Sequence, residues 1–391
     1  MKKPSLLFLL SCAFVFSVQP QSASVQKVSE YSRLHEADIM NEFISFLSIP
    51  NVASDSVNIR RNADFIMNMM KKRGIGNVQL LNADNPSAPP AVYGEVKVPG
   101  AISTIVLYAH YDGQPVNPLQ WAKGLDPFIP KLFSGRIDKD AKEIAIPPDA
   151  YQPDYRIYAR GASDDKAGVA AILNAYEVIT KTGMLPASNI KFFFEGEEEA
   201  GSTHLAEILE NHKSLLQSDL WIICDGPVHQ SGKKQVIFGV RGDTHIEVTV
   251  FAAKRPLHSG HYGNWSPNPG MQLAKLLASM KDDNGKVTIK GFYDDVTPLS
   301  VSEKKALQEI PSVEEQMKTE LGIAKREMHD RNLYEALMMP SLNVNGMQSA
   351  NTGKLAANII PTTATASLDL RLVSGNDWKR QQQKVIDHIK A

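Results

Sequence analysis

The sequence predicts an α/β protein. Two helical stretches open the folded part, and short apolar strands follow and alternate with further helices. The groups able to do chemistry fall at the ends of those strands, where open α/β sheets place ligands. The chain has 391 residues, enough for two or three domains that each bury a core. Apolar residues make up 43% and charged residues 22%, with a net charge of -1, so no basic surface argues for nucleic acid or an anionic membrane as partner.

The first element is expected to be removed. Lys2 and Lys3 precede the apolar stretch from Leu6 to Val18, and small and polar residues follow around Ser22-Ala23-Ser24. That order is a signal peptide, residues 1–23, with an apolar core too short for a comfortable membrane span. Leu9-Leu-Ser-Cys12 loosely resembles a lipoprotein cleavage box, but apolar residues continue past Cys12, which favours a cut near Ala23. The mature protein is then periplasmic or extracellular, off the membrane, and carries Cys224 as its only cysteine, which excludes an internal disulfide.

From Val25 to Leu47 apolar residues recur at helical steps, and Pro50 closes the pattern. A second helix is expected from Ser56 to Lys72, ended by Gly74. Strands are expected at 78–81, 91–96 and 103–109, whereas Trp121 to Asp154 is rich in proline and reads as loop. Val169–Ile179 reads as a helix, Asn189–Phe194 as a buried strand, 202–215 as helical, and 219–224 as another strand. Further on, Thr244–Phe251 and Ala364–Leu372 alternate as strands, Gly270–Met280 and Trp378–Lys390 read as helices, and the Lys/Glu-rich tract 283–340 has helical spacing.

The chemical groups follow the strands. His110 and Asp112 stand two apart at a strand end, so both side chains point to the same side. A metal-binding histidine commonly gives its other ring nitrogen to a carboxylate, although a histidine bonded to a loop aspartate without metal fits the pair equally. Arg160-Gly-Ala-Ser-Asp164-Asp165-Lys166 leads into a helix; a plain helix cap is one reading, but two aspartates and a lysine exceed what a cap needs. Glu195-Gly-Glu-Glu-Glu-Ala-Gly-Ser202 places three consecutive glutamates, Glu197, Glu198 and Glu199, after a buried strand. Such a stretch is either a solvated turn or a place where carboxylates find cations. Asp225-Gly226 ends the next strand, where a simple turn would also suffice. One histidine and carboxylates at 112, 164, 198, 199 and 225, with no thiolate, suit zinc, manganese or cobalt in a two-metal hydrolytic site. No phosphate loop, serine elbow or nicotinamide fingerprint competes.

With these stretches assembled, the sequence resembles the co-catalytic zinc peptidase family of carnosinase, carboxypeptidase G, aminoacylase and acetylornithine deacetylase, and lies nearest its dipeptidase branch. The matching stretches are His110-Tyr-Asp-Gly-Gln-Pro115, Trp121 with Asp126-Pro-Phe128, Arg160–Lys166, Glu195–Ser202, Asp225 and Leu257-His-Ser-Gly260. The resemblance covers nearly all of the mature chain. It implies a mixed-sheet catalytic domain, residues 24–241, and an α+β ferredoxin-like lid or dimerisation domain, residues 242–391. It implies that His110 and Asp225 hold one metal, that Asp164 bridges two, and that Glu199 holds the second. Asp112 would orient His110, and Glu198 would be the general base acting on a metal-bridging water. A cis peptide is implied at Asp164–Asp165. His258 would stabilise the tetrahedral oxyanion, while Asn358 and Arg371 would grip the substrate; a surface strand arginine is the plainer reading of Arg371, and an ordinary lid histidine that of His258.

The match fails in one place. The family's second metal takes a histidine from a returning C-terminal part of the catalytic domain. His388, in the helix Trp378–Lys390, reads as a solvated helix residue instead. The C-terminal part of the catalytic domain is therefore expected to be missing, and the sequence is expected to be either a fragment or a degenerate member. The expected activity, in the complete gene product, is that of an exported, homodimeric, two-metal peptidase of the dipeptidase or carboxypeptidase type acting on small peptides, and the 391-residue chain alone is expected to show little hydrolysis. An N-acyl amino acid amidohydrolase of the same fold and a non-catalytic homologue are the alternatives.

Overall fold

The computed structural model describes residues 23–148 and 150–391. Residues 1–22, which carry the expected signal peptide apart from Ala23, lie outside the described residues. The chain divides after Pro227 into two compact units.

In chain order the first unit contains α1 (Ala23–Leu34), α2 (Glu36–Leu47), α3 (Ser56–Lys72), β1 (Gly76–Leu81), β2 (Ala91–Val96) and β3 (Thr104–His110). There follow β4 (Lys131–Phe133), β5 (Glu143–Ile144), β6 (Arg156–Tyr158), α4 (Lys166–Lys181), β7 (Asn189–Glu195), α5 (Leu205–Asn211), α6 (Lys213–Leu216) and β8 (Leu220–Ile223). The helical stretch expected from 25 to 47 is two helices that break at His35 (φ -109°, ψ 12°). The segment from Trp121 to Asp154, expected as loop, contains β4 and β5; with β6 they form a small antiparallel sheet. Strands of two or three residues leave no periodicity long enough to read.

The main sheet has the order β1-β2-β7-β3-β8 and is mixed. β3 runs parallel to both β7 and β8, and β2 runs antiparallel to both β1 and β7. The register opposes His110 to Glu195 and Tyr108 to Ile223, so the carboxyl ends of β3, β7 and β8 lie side by side. The aromatic run of β7 explains its central place. Phe192 and Phe194 enter one core with Phe46, Ile66, Met70 and Leu173. Phe193 turns to the opposite face, against Tyr93, Tyr108 and Ile208. All three phenylalanines are fully buried, worth roughly 1.5–3 kcal/mol each. The other end of the sheet is less covered: β8 is an edge strand, and Leu220, Ile222 and Ile223 are exposed.

The second unit contains β9 (Gly242–Phe251), β10 (Leu257–His258), α7 (Ser259–Tyr262), α8 (Pro269–Ser279), α9 (Val301–Glu309), α10 (Glu314–Leu321) and α11 (Leu333–Leu337). It ends with β11 (Ser341–Gln348), β12 (Ile359–Ile360), β13 (Thr363–Leu372) and α12 (Trp378–Lys390). β11, β13 and β9 form an antiparallel sheet with β13 in the middle. Leu368 and Leu370 of β13 and Val248 of β9 face Leu273 of α8 and Val385 of α12, which makes this unit's own core. Asn268 and Asp377 cap those two helices through their side chains.

Candidate metal centre

β3 delivers His110 to the sheet's end fully buried, and Asp112 follows it, also fully buried. His110 Nδ1 lies 3.3 Å from Asp112 Oδ1. The other ring nitrogen, Nε2, faces three carboxylates: Asp164 at 3.0 Å, Asp225 at 3.7 Å and Glu198 at 3.8 Å.

Each partner is set by local backbone. Asp165 is the N-cap of α4: its Oδ1 accepts the Gly168 N–H at 3.1 Å, and its Oδ2 accepts the His110 N–H at 3.1 Å. A side chain at position 168 would collide with the Asp165 carboxyl group and the Cys224 carbonyl, so only glycine allows α4 to start there. The Asp164–Asp165 peptide is cis. Asp164 has a 64% exposed side chain and turns toward His110. Asp225 stands just past β8, two residues beyond Ile223.

Glu198 and Glu199 open a single 3-10 turn after β7. The Asp112 carboxylate accepts both of their backbone N–H groups, at 3.1 Å and 3.0 Å. Asp112 thus faces His110 and fixes the glutamate turn at once. The Gln114 side-chain amide donates to Glu199 Oε2. Glu197, expected from the sequence to face solvent, does not: its carboxylate accepts the His204 N–H at 2.9 Å and meets His204 Nδ1 at 3.0 Å, with 13% of its side chain exposed.

The cluster holds more negative charge than one imidazole can offset. Burial opposes charge on His110, yet the Asp112 carboxylate, followed by Asp225 and Asp165, outweighs it and holds the imidazole up at about 10. Burial pushes Asp165 up to about 7. Burial also raises Glu198, with Asp225, Glu199 and Asp112 adding to the effect, and raises Asp225. A cation placed among these carboxyl groups would favour their ionised forms.

The donor set fits a divalent metal. His110, Asp164 and Glu199 each offer a ligand atom within 4.8 Å of the others, and so do His110, Asp165 and Asp225. One nitrogen with carboxylate oxygens and no thiolate suits a hard to borderline divalent ion.

Some residues here were not singled out from sequence. Asp165 was legible only as half of an aspartate pair, and its cap spacing to Gly168 is the signal that distinguishes it. Glu195 is buried and accepts the Tyr108 hydroxyl at 2.6 Å; its place opposite His110 needed the register. Lys166 is fully buried, its ammonium bonded to the Phe46 and Ile49 carbonyls at 2.8 Å and 2.7 Å.

Three of the expected site residues lie in the second unit. His258, on β10, accepts the Gly260 N–H at Nδ1 (3.1 Å) and stacks on His261 at 4.6 Å. A neutral His258 therefore carries its proton on Nε2. Asn358 adjoins β12, which pairs with β10, and its carbonyl accepts the Ser259 N–H. Arg371, on β13, lies 3.4 Å from Asp369 and 4.0 Å from Asp243. His388 is partly exposed and meets the Ser279 hydroxyl at 2.9 Å.

The profile of peptidase family M20/M25/M40 matches residues 106–338, well over half of the chain. The chain belongs to this family. The match spans His110, Asp112, Asp164, the two glutamates and Asp225, and it makes the chain a metallohydrolase. Among relatives, the Cys-Gly metallodipeptidase of Candida albicans is 28% identical over 360 residues, covering 88% of this chain and 70% of that protein. The human Beta-Ala-His dipeptidase is 26% identical over 401 residues, covering 98% of this chain and 75% of that protein. Among solved structures of the family, a metallo-carboxypeptidase of Sulfolobus solfataricus matches with a TM-score of 0.70 at 29% identity, covering 90% of this chain and 75% of that one. Human carnosine dipeptidase 1 has the same fold, with a TM-score of 0.69 at 24% identity over 95% of this chain and 77% of that one. The mixed α/β architecture expected from sequence is thus the family's.

Proposed function

We propose that the protein is an exported dipeptidase that uses two divalent metal ions, zinc in the first instance, to hydrolyse small peptides. The observation that carries this reading is the Asp112 carboxylate, which faces His110 while holding the backbone of both Glu198 and Glu199. One group thereby ties the nitrogen donor to the two acidic groups. The names of the relatives, a Cys-Gly metallodipeptidase and a Beta-Ala-His dipeptidase, support dipeptides as the substrate class.

In this reading His110 and Asp225 would hold one ion and Glu199 the other, with Asp164 available to both. Bound there, divalent ions lower the pKa of water and polarise a carbonyl. Glu198 takes the proton of the attacking water and passes it to the leaving amine. Asp112 keeps His110 in one orientation. His258, with its proton on Nε2, donates to the developing oxyanion. Arg371 takes the substrate carboxylate and Asn358 a substrate carbonyl.

Lys2, Lys3 and the apolar run after them support export to the periplasm or beyond, and the resemblance supports a homodimer formed through the second unit. The deciding assay loads the purified protein with Zn²⁺, Mn²⁺ or Co²⁺ and offers dipeptides beside N-acyl amino acids. Preference for dipeptides over acyl amino acids in whatever turnover is seen would support this reading. Turnover of acyl amino acids alone would make the protein a deacylase, and no turnover of either with two ions bound would leave a binding protein.

A further inference from the structure

The open face of the second unit's sheet carries a second set of metal-type donors. β9 and β13 pair so that His245 opposes Asp369 and Asp243 opposes Arg371. Alternation along the strands puts these four side chains on the face away from Leu368, Leu370 and the helices that cover them. His245 Nε2 lies 3.2 Å from Asp243 Oδ2, and His245 Nδ1 lies 4.0 Å from Asp369 Oδ1.

Asp369 makes this more than a surface charge cluster. It is only 8% exposed, and its Oδ1 is buried with no hydrogen-bond partner. Arg371 reaches only the other oxygen, Oδ2, at 3.4 Å. With the His245 proton on Nε2 toward Asp243, Nδ1 presents a lone pair to a carboxylate oxygen that also lacks a donor. In that tautomer Nδ1 and Oδ1, 4.0 Å apart, are too far for a hydrogen bond and a cation between them would satisfy both, although the Arg241 guanidinium also acts on Asp369 and would compete with it. Bonds of roughly 2.0–2.2 Å from a zinc-class ion to nitrogen and oxygen span such a gap.

We propose that Asp243, His245 and Asp369 bind a divalent metal ion of the zinc class, at a site that shares no residue with the His110 cluster. The three offer ligand atoms that all lie within 4.8 Å of one another. His245 and Asp243 have side chains 58% and 48% exposed, so the ion enters from solvent, and water fills its remaining positions. Arg371 competes with it, because its Nη1 stands 4.0 Å from the Asp243 oxygen that the ion would draw in.

The test is a Zn²⁺ titration of the full chain after chelator stripping, followed by calorimetry and by metal analysis after gel filtration. His245→Ala and Asp369→Asn are expected to bind one Zn²⁺ fewer per chain than wild type, whereas His110→Ala retains the site. Arg371→Met is expected to tighten it severalfold. Equal stoichiometry in wild type and His245→Ala would overturn the proposal, as would weaker binding in Arg371→Met. Circular dichroism checks each fold; should Asp369→Asn fail to fold, His245→Ala decides, because its side chain is largely exposed.

Discussion

The Asp112 carboxylate accepts the Glu198 backbone N–H at 3.1 Å while lying 3.3 Å from the His110 ring. A buried acid that carries both duties cannot be removed without loosening both partners. Asp112→Ala is expected to weaken binding at the His110 cluster about 10- to 100-fold. A metal titration that gave wild-type affinity would show that Asp112 orients nothing.

Glu198 and Glu199 are neighbours with separable duties in the proposed reading. Glu198→Ala should keep its metal and lose roughly 100- to 10,000-fold in kcat. Glu199→Ala should lose metal first, and activity with it. Metal analysis alongside kinetics separates the two, and identical metal content in both variants would refute the division.

The cluster also bears on how the metal-free protein responds to pH. His110 is held up at about 10, so the stability it contributes is complete below its ordinary value near 6.5 and is lost as pH rises through 10. Asp165 is raised to about 7, so the penalty for ionising it in the folded state grows between its ordinary value and that point, then stays. Both effects have the same sign. Burial lowers Lys166 well below its ordinary value, which works in the opposite direction, so the cluster is read through its ligand: the increase in Tm produced by Zn²⁺ should grow from pH 6 to pH 9. A Zn²⁺-induced increase that shrinks over that range would contradict the charge balance described above.

Lys166 should behave as a structural residue. Its ammonium bonds the Phe46 and Ile49 carbonyls and sits 4.6 Å from the centre of the Phe46 ring. Lys166→Met leaves two buried acceptors unpaired, at about 1–3 kcal/mol each, and chemical denaturation should report a loss of that order. A variant as stable as wild type would mean that water replaces the ammonium.

Leu220, Ile222 and Ile223 leave the β8 edge exposed and apolar, a template for pairing with other chains. The purified 391-residue chain is expected to scatter light on standing and to bind a hydrophobic dye. Ile222→Lys should reduce both. If neither changes, the edge is not what drives association.

Much of this was readable before any fold was known. β7 announced itself because Phe192, Phe193 and Phe194 form a run that only a two-faced buried strand accommodates. His110, Asp112, Asp164, Glu198, Glu199 and Asp225 were legible because they follow strands or begin a helix, where side chains of that chemistry need a reason to be. The small sheet of β4, β5 and β6 was not legible, because pairing between strands that short depends on partners distant in sequence.

The sequence by itself determined the α/β class, the residue types of the metal centre and its kinship with zinc peptidases, since periodicity and donor chemistry are local properties. Only the tertiary structure showed which hydrogen-bond partner each carboxylate takes. It made Asp165 a cap and Asp164 the group turned to His110, gave Glu197 to His204, and let Asp112 hold the glutamate turn. It also brought Asp369 opposite His245 from across the second unit's sheet. Hydrogen bonds and strand register join residues far apart in the chain, and no stretch of sequence read alone contains both partners.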